Sequence, residues 1–268
     1  MSFKGTEHTV AGIEANFQGF LTAIPPALEG ELNQFGGVST YYTGVHFALF
    51  NGVISCRVKE SELDQRIQET QEYFRSKNVP MLWWVFPSDQ PSNLVEALER
   101  HGFVQASEDP GMAVQLDGLP EMSPMPGLEI VKGEDSEIMD TWGKVGAAGF
   151  GLPDFVAEPF GRACLKISEQ QPGMVFNYLA LLDGRPVGTS TLYLSQDGVA
   201  GIYDVATLED ARKRGIGRAL TLQPLLEARN MGYDIGILGA SEMGHPVYRA
   251  LGFKDYCKIP QYFWQPEE

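Results

Sequence analysis

One order of elements is written twice in this chain, and it narrows the choice of fold more than any other feature. Ile216 to Met231 reads as a helix with Ile216, Leu220 and Leu226 on one face; Gly232 stops it, and Ile235 to Leu238 reads as a short strand. His245 to Leu251 then reads as a brief helix, with Pro246 suited to its first turn and Gly252-Phe253 closing it. Earlier, Ser61 is positioned to cap a helix carrying Leu63, Ile67 and Phe74, and Pro80 breaks that helix before a strand at Met81 to Phe86. A helix from Ser92 to His101 follows, closed by Gly102-Phe103. Helix, strand, loop, short helix and Gly-Phe thus occur in both halves, the pattern an internal duplication leaves. Between them, Asp117 to Gly127 carries three prolines and two glycines, a linker composition that predicts domains at 1–120 and 127–268.

Charge excludes one class of partner. The 268 residues carry 20 Lys+Arg against 35 Asp+Glu, a net charge of −15, whereas a bulk nucleic-acid binder needs cations for phosphate contacts. No apolar run reaches the ~18 residues of a membrane helix, and the opening MSFKGTEHTV lacks a signal peptide's apolar stretch. Cys56, Cys164 and Cys257 form no C-x-x-C pair, so neither a disulfide framework nor a zinc set is expected. The expectation is a cytoplasmic protein with reduced thiols, no metal, no nucleic-acid partner and no membrane contact.

In the second half, a strand at Leu128–Val131 precedes helices at Ser136–Phe150 and Phe155 to about Ser168. Strands at Tyr178–Leu182 and Pro186–Leu194 flank an Asp183-Gly184 hairpin turn, and Val199–Thr207 follows. A meander feeding one strand–helix–strand crossover implies a mixed α/β sheet with helices on its faces. The chemistry concentrates in Thr207 to Arg218, TLEDARKRGIGR. Arg212, Lys213, Arg214 and Arg218 gather there, and Gly215 and Gly217 let the backbone turn and expose successive N–H groups. A helix start beside them adds unpaired amides, so the segment reads as a site for an anion such as a pyrophosphate. A Walker loop is absent, and Leu220 stands where a dinucleotide fingerprint needs a small residue.

Arg212-x-x-Gly215-x-Gly217 resembles the R/Q-x-x-G-x-G/A signature of the GNAT superfamily of acyl-CoA-dependent N-acetyltransferases. Ala240-Ser241-Glu242 and Tyr248-Arg-Ala-Leu-Gly-Phe253 follow at the family's separation, so the likeness spans roughly 127 to 264. The first half looks like a degenerate copy, keeping Glu99-Arg-His-Gly-Phe103 but no R-x-x-G-x-G before its long helix. The resemblance implies a tandem of two GNAT-like mixed-sheet domains, the N-terminal one degenerate. It implies acetyl-CoA, its pyrophosphate held by amides from Lys213 through Ile216 to Arg218, with Ser241 also at the cofactor site. The edge at Val205, Ala206 and Thr207 would pair with the pantetheine arm, and an amide there would polarise the acetyl carbonyl. Acetyl would pass to a primary amine of a small molecule by direct attack, without an enzyme nucleophile.

Tyr248 is then the candidate general acid for the departing thiolate. Asp204 is a candidate base, although strand alternation is expected to send it to the opposite face from Gly201 and Tyr203. Glu242 and His245 are lesser candidates. Phe150, Phe155 and Phe160 would wall the amine pocket, with Asp154 or Glu158 facing an ammonium group. Two other readings fit the same residues: a protein N-acetyltransferase, and a noncatalytic acyl-CoA sensor. Oligomeric state has no sequence signal.

Overall fold

The computed structural model describes residues 5–267. Helix α1 (Thr6–Ala27) leads to strands β1 (Glu31–Phe35), β2 (Val38–Tyr42) and β3 (Gly52–Cys56), then α2 (Leu63–Lys77), β4 (Met81–Trp84), α3 (Leu94–Arg100) and β5 (Val104–Gln115). After the linker come β6 (Leu128–Lys132), α4 (Ser136–Phe150), α5 (Ala157–Gln170), β7 (Val175–Leu182), β8 (Arg185–Leu194) and β9 (Val199–Thr207). The chain ends with α6 (Ile216–Asn230), β10 (Ile235–Gly239), α7 (His245–Ala250) and β11 (Lys254–Trp264).

Two compact units result. Unit 1 joins the N-terminal residues up to Phe17 to Gly111–Tyr256; unit 2 joins Gln18–Pro110 to the chain from Cys257 onward. In unit 1, β6, β7, β8 and β9 pair antiparallel in sequence order, β10 pairs parallel to β9, and residues 111–115 of β5 pair antiparallel to β10. In unit 2, β1, β2 and β3 form an antiparallel meander, β4 is parallel to β3, and β11 is antiparallel to β4. The run antiparallel, parallel, antiparallel therefore recurs, and each parallel pair is bridged by the long helix of its unit. Each unit also carries a bulge in the strand before that helix. It lies between Tyr203 and Ala206 in β9 and between Val53 and Ser55 in β3.

Local sequence explains most of these elements. α4 starts where Asp135 accepts the Ile138 N–H at 2.9 Å and ends at Gly151 in the left-handed region. Ser61, expected to cap α2, instead lies in a 3-10 turn at Glu60–Glu62, and Glu62 precedes the helix without a side-chain cap. The helix ends at Lys77, where Asn78 takes the left-handed conformation ahead of Pro80. One face of unit 1's sheet packs Leu192 and Ile202 with Ile216 and Leu220 of α6; the other packs Leu179 against Trp142 and Cys164 of α4 and α5.

No motif in the first residues pointed to a role for α1 in unit 1, yet Asn16 is fully buried there. Its Nδ2 donates to Ser195 Oγ (3.0 Å) and the Val199 carbonyl (3.2 Å), and its Oδ1 accepts the Tyr203 hydroxyl at 2.6 Å. A Cβ on Gly201 would meet Asn16 Oδ1 at 2.1 Å, so β9 has a glycine where this amide comes in. Asn16→Ala strands buried polar partners, and a loss of about 1–3 kcal/mol in urea-unfolding free energy is expected.

Candidate active site

The site begins with a strand edge. Among the described residues, β10 pairs with β9 from Ile235–Ile237 against Val199–Gly201, and from Ile202 onward β9 has β8 as its one strand partner. Antiparallel pairing points alternate residues' peptide groups to opposite edges. Ala206 lies opposite Thr189, and Leu208 N–H donates to the Val187 carbonyl, so Ala206 faces β8. Val205 and Thr207 consequently turn their peptide groups to the side β10 has left. Of the three residues expected at this edge, two face outward and Ala206 does not.

The bulge also corrects the expectation for Asp204. At φ 55° it inserts one extra residue, so alternation fails and its carboxyl lies on the same face as Gly201 and Tyr203. Thr189 Oγ1 donates to the Asp204 carbonyl at 2.9 Å, fixing the bulge. The carboxyl sits against Cys164, whose thiol is 3.7 Å from Oδ2, and within hydrogen-bond reach of Thr191. Burial raises its pKa to about 6, with Thr191 and Cys164 opposing that shift. The same burial, with Asp204 beside it, pushes the Cys164 thiol well up, so it is a neutral donor here. Thr191 is tied back to Asn177 Oδ1 (3.0 Å), and Asn177 to the Cys164 carbonyl (3.1 Å).

The loop expected to hold an anion follows β9. Lys213 (φ 61°) and Gly215 (φ 87°) both adopt the left-handed conformation, and Gly215 stands at the N-cap of α6 with no side chain to bond the first-turn amides. Among the described residues, no protein acceptor pairs with the N–H groups from Lys213 to Arg218. Lys213, Arg214 and Gly215 are exposed, Gly217 and Arg218 half-buried, while the Ile216 side chain is buried and only its amide is available. Lys213, Arg214 and Arg218 form no ion pair among the described residues. Unpaired amides, a helix start and three cations without a direct ion pair, Arg214 acting only at longer range on Asp210, fit a diphosphate. Arg212 does a different job: its Nε donates to the Thr207 carbonyl (3.1 Å) and its Nη2 to the Gly149 carbonyl (2.8 Å). It locks the loop to the end of α4 rather than reaching out to an anion.

Tyr248 is buried in α7, with its hydroxyl within hydrogen-bond reach of Thr221 on α6. Burial lifts its pKa to about 12, so it keeps its proton at neutral pH. Thr221 itself donates to the Gly217 carbonyl at 2.8 Å, which links the phenol to the first turn of α6. Ser241 is exposed, and its Oγ accepts the Gly244 N–H (3.2 Å) in the turn leading to α7. Glu242 is exposed, and His245 starts α7 with its Nε2 on Asp255 (2.9 Å). Phe150 and Phe155 are exposed, whereas Phe160 packs on Trp142, 4.8 Å between ring centroids. Asp154 is exposed, and Glu158 is engaged by Arg162 at 3.2 Å. Among the described residues no cluster of three or more His, Cys, Asp or Glu could hold a metal, and no helix is long and apolar enough to cross a membrane.

Sequence reasoning missed Cys164, Thr191 and Asn177 beside Asp204, and Thr221 beside Tyr248. The Gly149 contact carried a faint signal, because a Cβ there would meet the Ala206 Cβ at 2.8 Å and only a residue without one fits. Removing the Arg212 clamp leaves two carbonyls without their charged donor. Arg212→Ala is expected to cost about 1.5–3 kcal/mol of stability in chemical denaturation, against under 0.5 for Lys213→Ala.

Residues 150–253 match the model of the acetyltransferase (GNAT) family. No curated protein matches the sequence. A GCN5-related N-acetyltransferase from Kribbella flavida has a similar structure, with TM-score 0.69 at 18% identity over 94% of this chain and 96% of that one. One from Sphaerobacter thermophilus gives 0.64 at 17%, over 87% and 78%. A tandem GNAT protein from the clavulanic acid biosynthesis pathway gives 0.56 at 14%, over 96% and 97%. The signature turn, the parted strands and the Tyr248 helix all fall inside the segment, residues 150–253, that matches the acetyltransferase (GNAT) model, and the chain has the fold seen in the GCN5-related N-acetyltransferases.

Proposed function

We propose that unit 1 transfers an acetyl group from acetyl-CoA to a primary amine of a small molecule, within a ternary complex. The observation that carries this reading is the junction of β9 and α6. An edge that β10 has left, at Val205 and the Thr207 amide, runs directly into a loop of unpaired amides and cations without ion pairs, the Thr207 carbonyl being taken by Arg212. The first would hold the amide-bearing pantetheine arm, the second the diphosphate. Acetyl-CoA supplies an activated thioester and a thiol leaving group.

The chain's own residues supply the rest. A Val205 or Thr207 amide donates to the acetyl oxygen as it gains charge. Asp204, ionised above about pH 6, takes a proton from the neutral amine nitrogen as that nitrogen attacks the acetyl carbon and the C–N bond forms. Tyr248, fully protonated at neutral pH, gives its proton to sulfur as the C–S bond breaks. Exposed Phe150 and Phe155 would guide the acceptor's apolar part.

Thiol release from acetyl-CoA across a panel of amines tests the activity. Tight coenzyme binding with no amine-dependent release would leave a binding module instead. Tyr248→Phe is expected to lower kcat by about 10²–10⁴ with the KM for acetyl-CoA nearly unchanged. An unaltered kcat would remove Tyr248 from the mechanism.

Asp204 makes two pH-dependent predictions. As a base it must be ionised, so kcat/KM should fall below about pH 6, and Asp204→Asn should abolish that limb together with most of the turnover. Its folded-state pKa is raised above the ordinary 3.8, so the folded chain holds this proton more tightly than the unfolded one. Stability from this group is therefore full below the ordinary value and is lost as pH rises through about 6. Asp204→Asn should accordingly gain about 1–3 kcal/mol at pH well above that window, and nothing below it, in paired urea titrations.

A further inference from the structure

Unit 2 repeats the geometry that leaves β9 open. β3 and β4 run parallel, pair at Gly52–Val53 against Leu82–Trp83, and then part. β3 bulges just beyond that point. Past the bulge, Arg57 N–H donates toward β2, at the Gly37 carbonyl, so Cys56 turns its peptide groups into the gap. Thr207 occupies the equivalent place in unit 1.

In unit 2 the gap is full. After β4 the chain turns back at Phe86–Asp89, where Asp89 N–H donates to the Phe86 carbonyl. Asp89 Oδ1 accepts the Cys56 N–H at 2.8 Å, and Oδ2 accepts the Phe86 N–H at 2.9 Å. Gln90 N–H donates to the Cys56 carbonyl at 2.8 Å, and the Gln90 carbonyl accepts the Val58 N–H at 3.3 Å. Both peptide groups of Cys56 are thereby used, one by a carboxylate and one by an added stretch of parallel pairing. Asp89 is only 7% exposed, and a buried carboxylate is retained only with donors of this kind. Its oxygen does what the carbonyl of an amide-bearing ligand would do in an open groove.

The start of α2 is equally unlike a cradle. Glu62 precedes the helix with φ −107°, and no left-handed glycine exposes the backbone. Glu60, Glu62 and Asp64 set carboxylates at the first turn, where a diphosphate would meet like charge.

We infer that unit 2 is a groove closed by its own Phe86–Gln90 segment, so that the chain carries a single coenzyme-binding groove, in unit 1. The identity of the ligand rests on the coenzyme reading of unit 1; the closure does not. Calorimetric titration of the full chain with coenzyme A should give one equivalent per chain, and none in Gly215→Val. Two equivalents, or binding that persists in Gly215→Val, would overturn the inference.

Amide hydrogen exchange reads the closure directly. Cys56, Phe86 and Gln90 amides should be protected in the free protein and unaffected by saturating coenzyme A, while Val205 to Arg218 slow down. Asp89→Ala should speed exchange at Cys56 and Phe86 by about tenfold, the effect of losing one buried hydrogen bond. Fast exchange at Cys56 in the unaltered protein, or slowing there on adding coenzyme A, would refute the closure. Coenzyme A binding nowhere would instead defeat the reading of unit 1, with exchange at Cys56 still deciding the state of unit 2.

Discussion

A single extra residue in β9 governs which backbone groups unit 1 leaves without a strand partner. Asp204 adopts φ 55°, a conformation that costs a non-glycine residue about 1–2 kcal/mol. Thr189 offsets part of this by donating to the Asp204 carbonyl, and Thr191 and Cys164 hold its carboxyl. The gain is a change of phase. Beyond the bulge Val205 and Thr207 face away from β8, toward the side from which β10 has departed. A regular strand would have had neither the offset edge nor two successive side chains, Tyr203 and Asp204, on one face.

The duplication visible in the chain is therefore deeper than an order of helices and strands. Both units carry a bulged strand, a parallel partner that parts early, and a long helix between them. They differ in what happens at the gap. Unit 1 follows it with Gly215 and a cluster of cations; unit 2 follows it with Glu60 and Glu62 and fills it with Asp89. Two copies of one arrangement can thus differ by a few residues in one loop, because the edge is made of backbone, and backbone can be satisfied from within the chain.

Much of the framework was legible. Asp135, the apolar period and Gly151 fix α4 at the bounds read from sequence, Ser136–Phe150. The Gly215 turn, the α6 helix and the Pro246 helix start came through because each depends on neighbours within one or two turns. Ser61 misled because a 3-10 turn competed for the same residues. The alternation argument for Asp204 failed because a bulge has no residue signature of its own; it is set by the partner strand. Arg212 sat in the right motif, but its bonds to Thr207 and Gly149 make it a clamp.

What the sequence alone determined is local: two copies of a helix–strand–helix order, the turn that exposes the amides of Lys213 to Arg218, and the scarcity of cations that makes their clustering informative. Tertiary structure alone decided that Asn16 of the first helix should bond Val199, 183 residues away, and that Asp204 should lie against Cys164. Periodicity and turn chemistry record a residue's relation to its near neighbours. Contacts across such distances are chosen by burial and by the need to satisfy each buried polar group, and those choices leave no repeating mark along the chain.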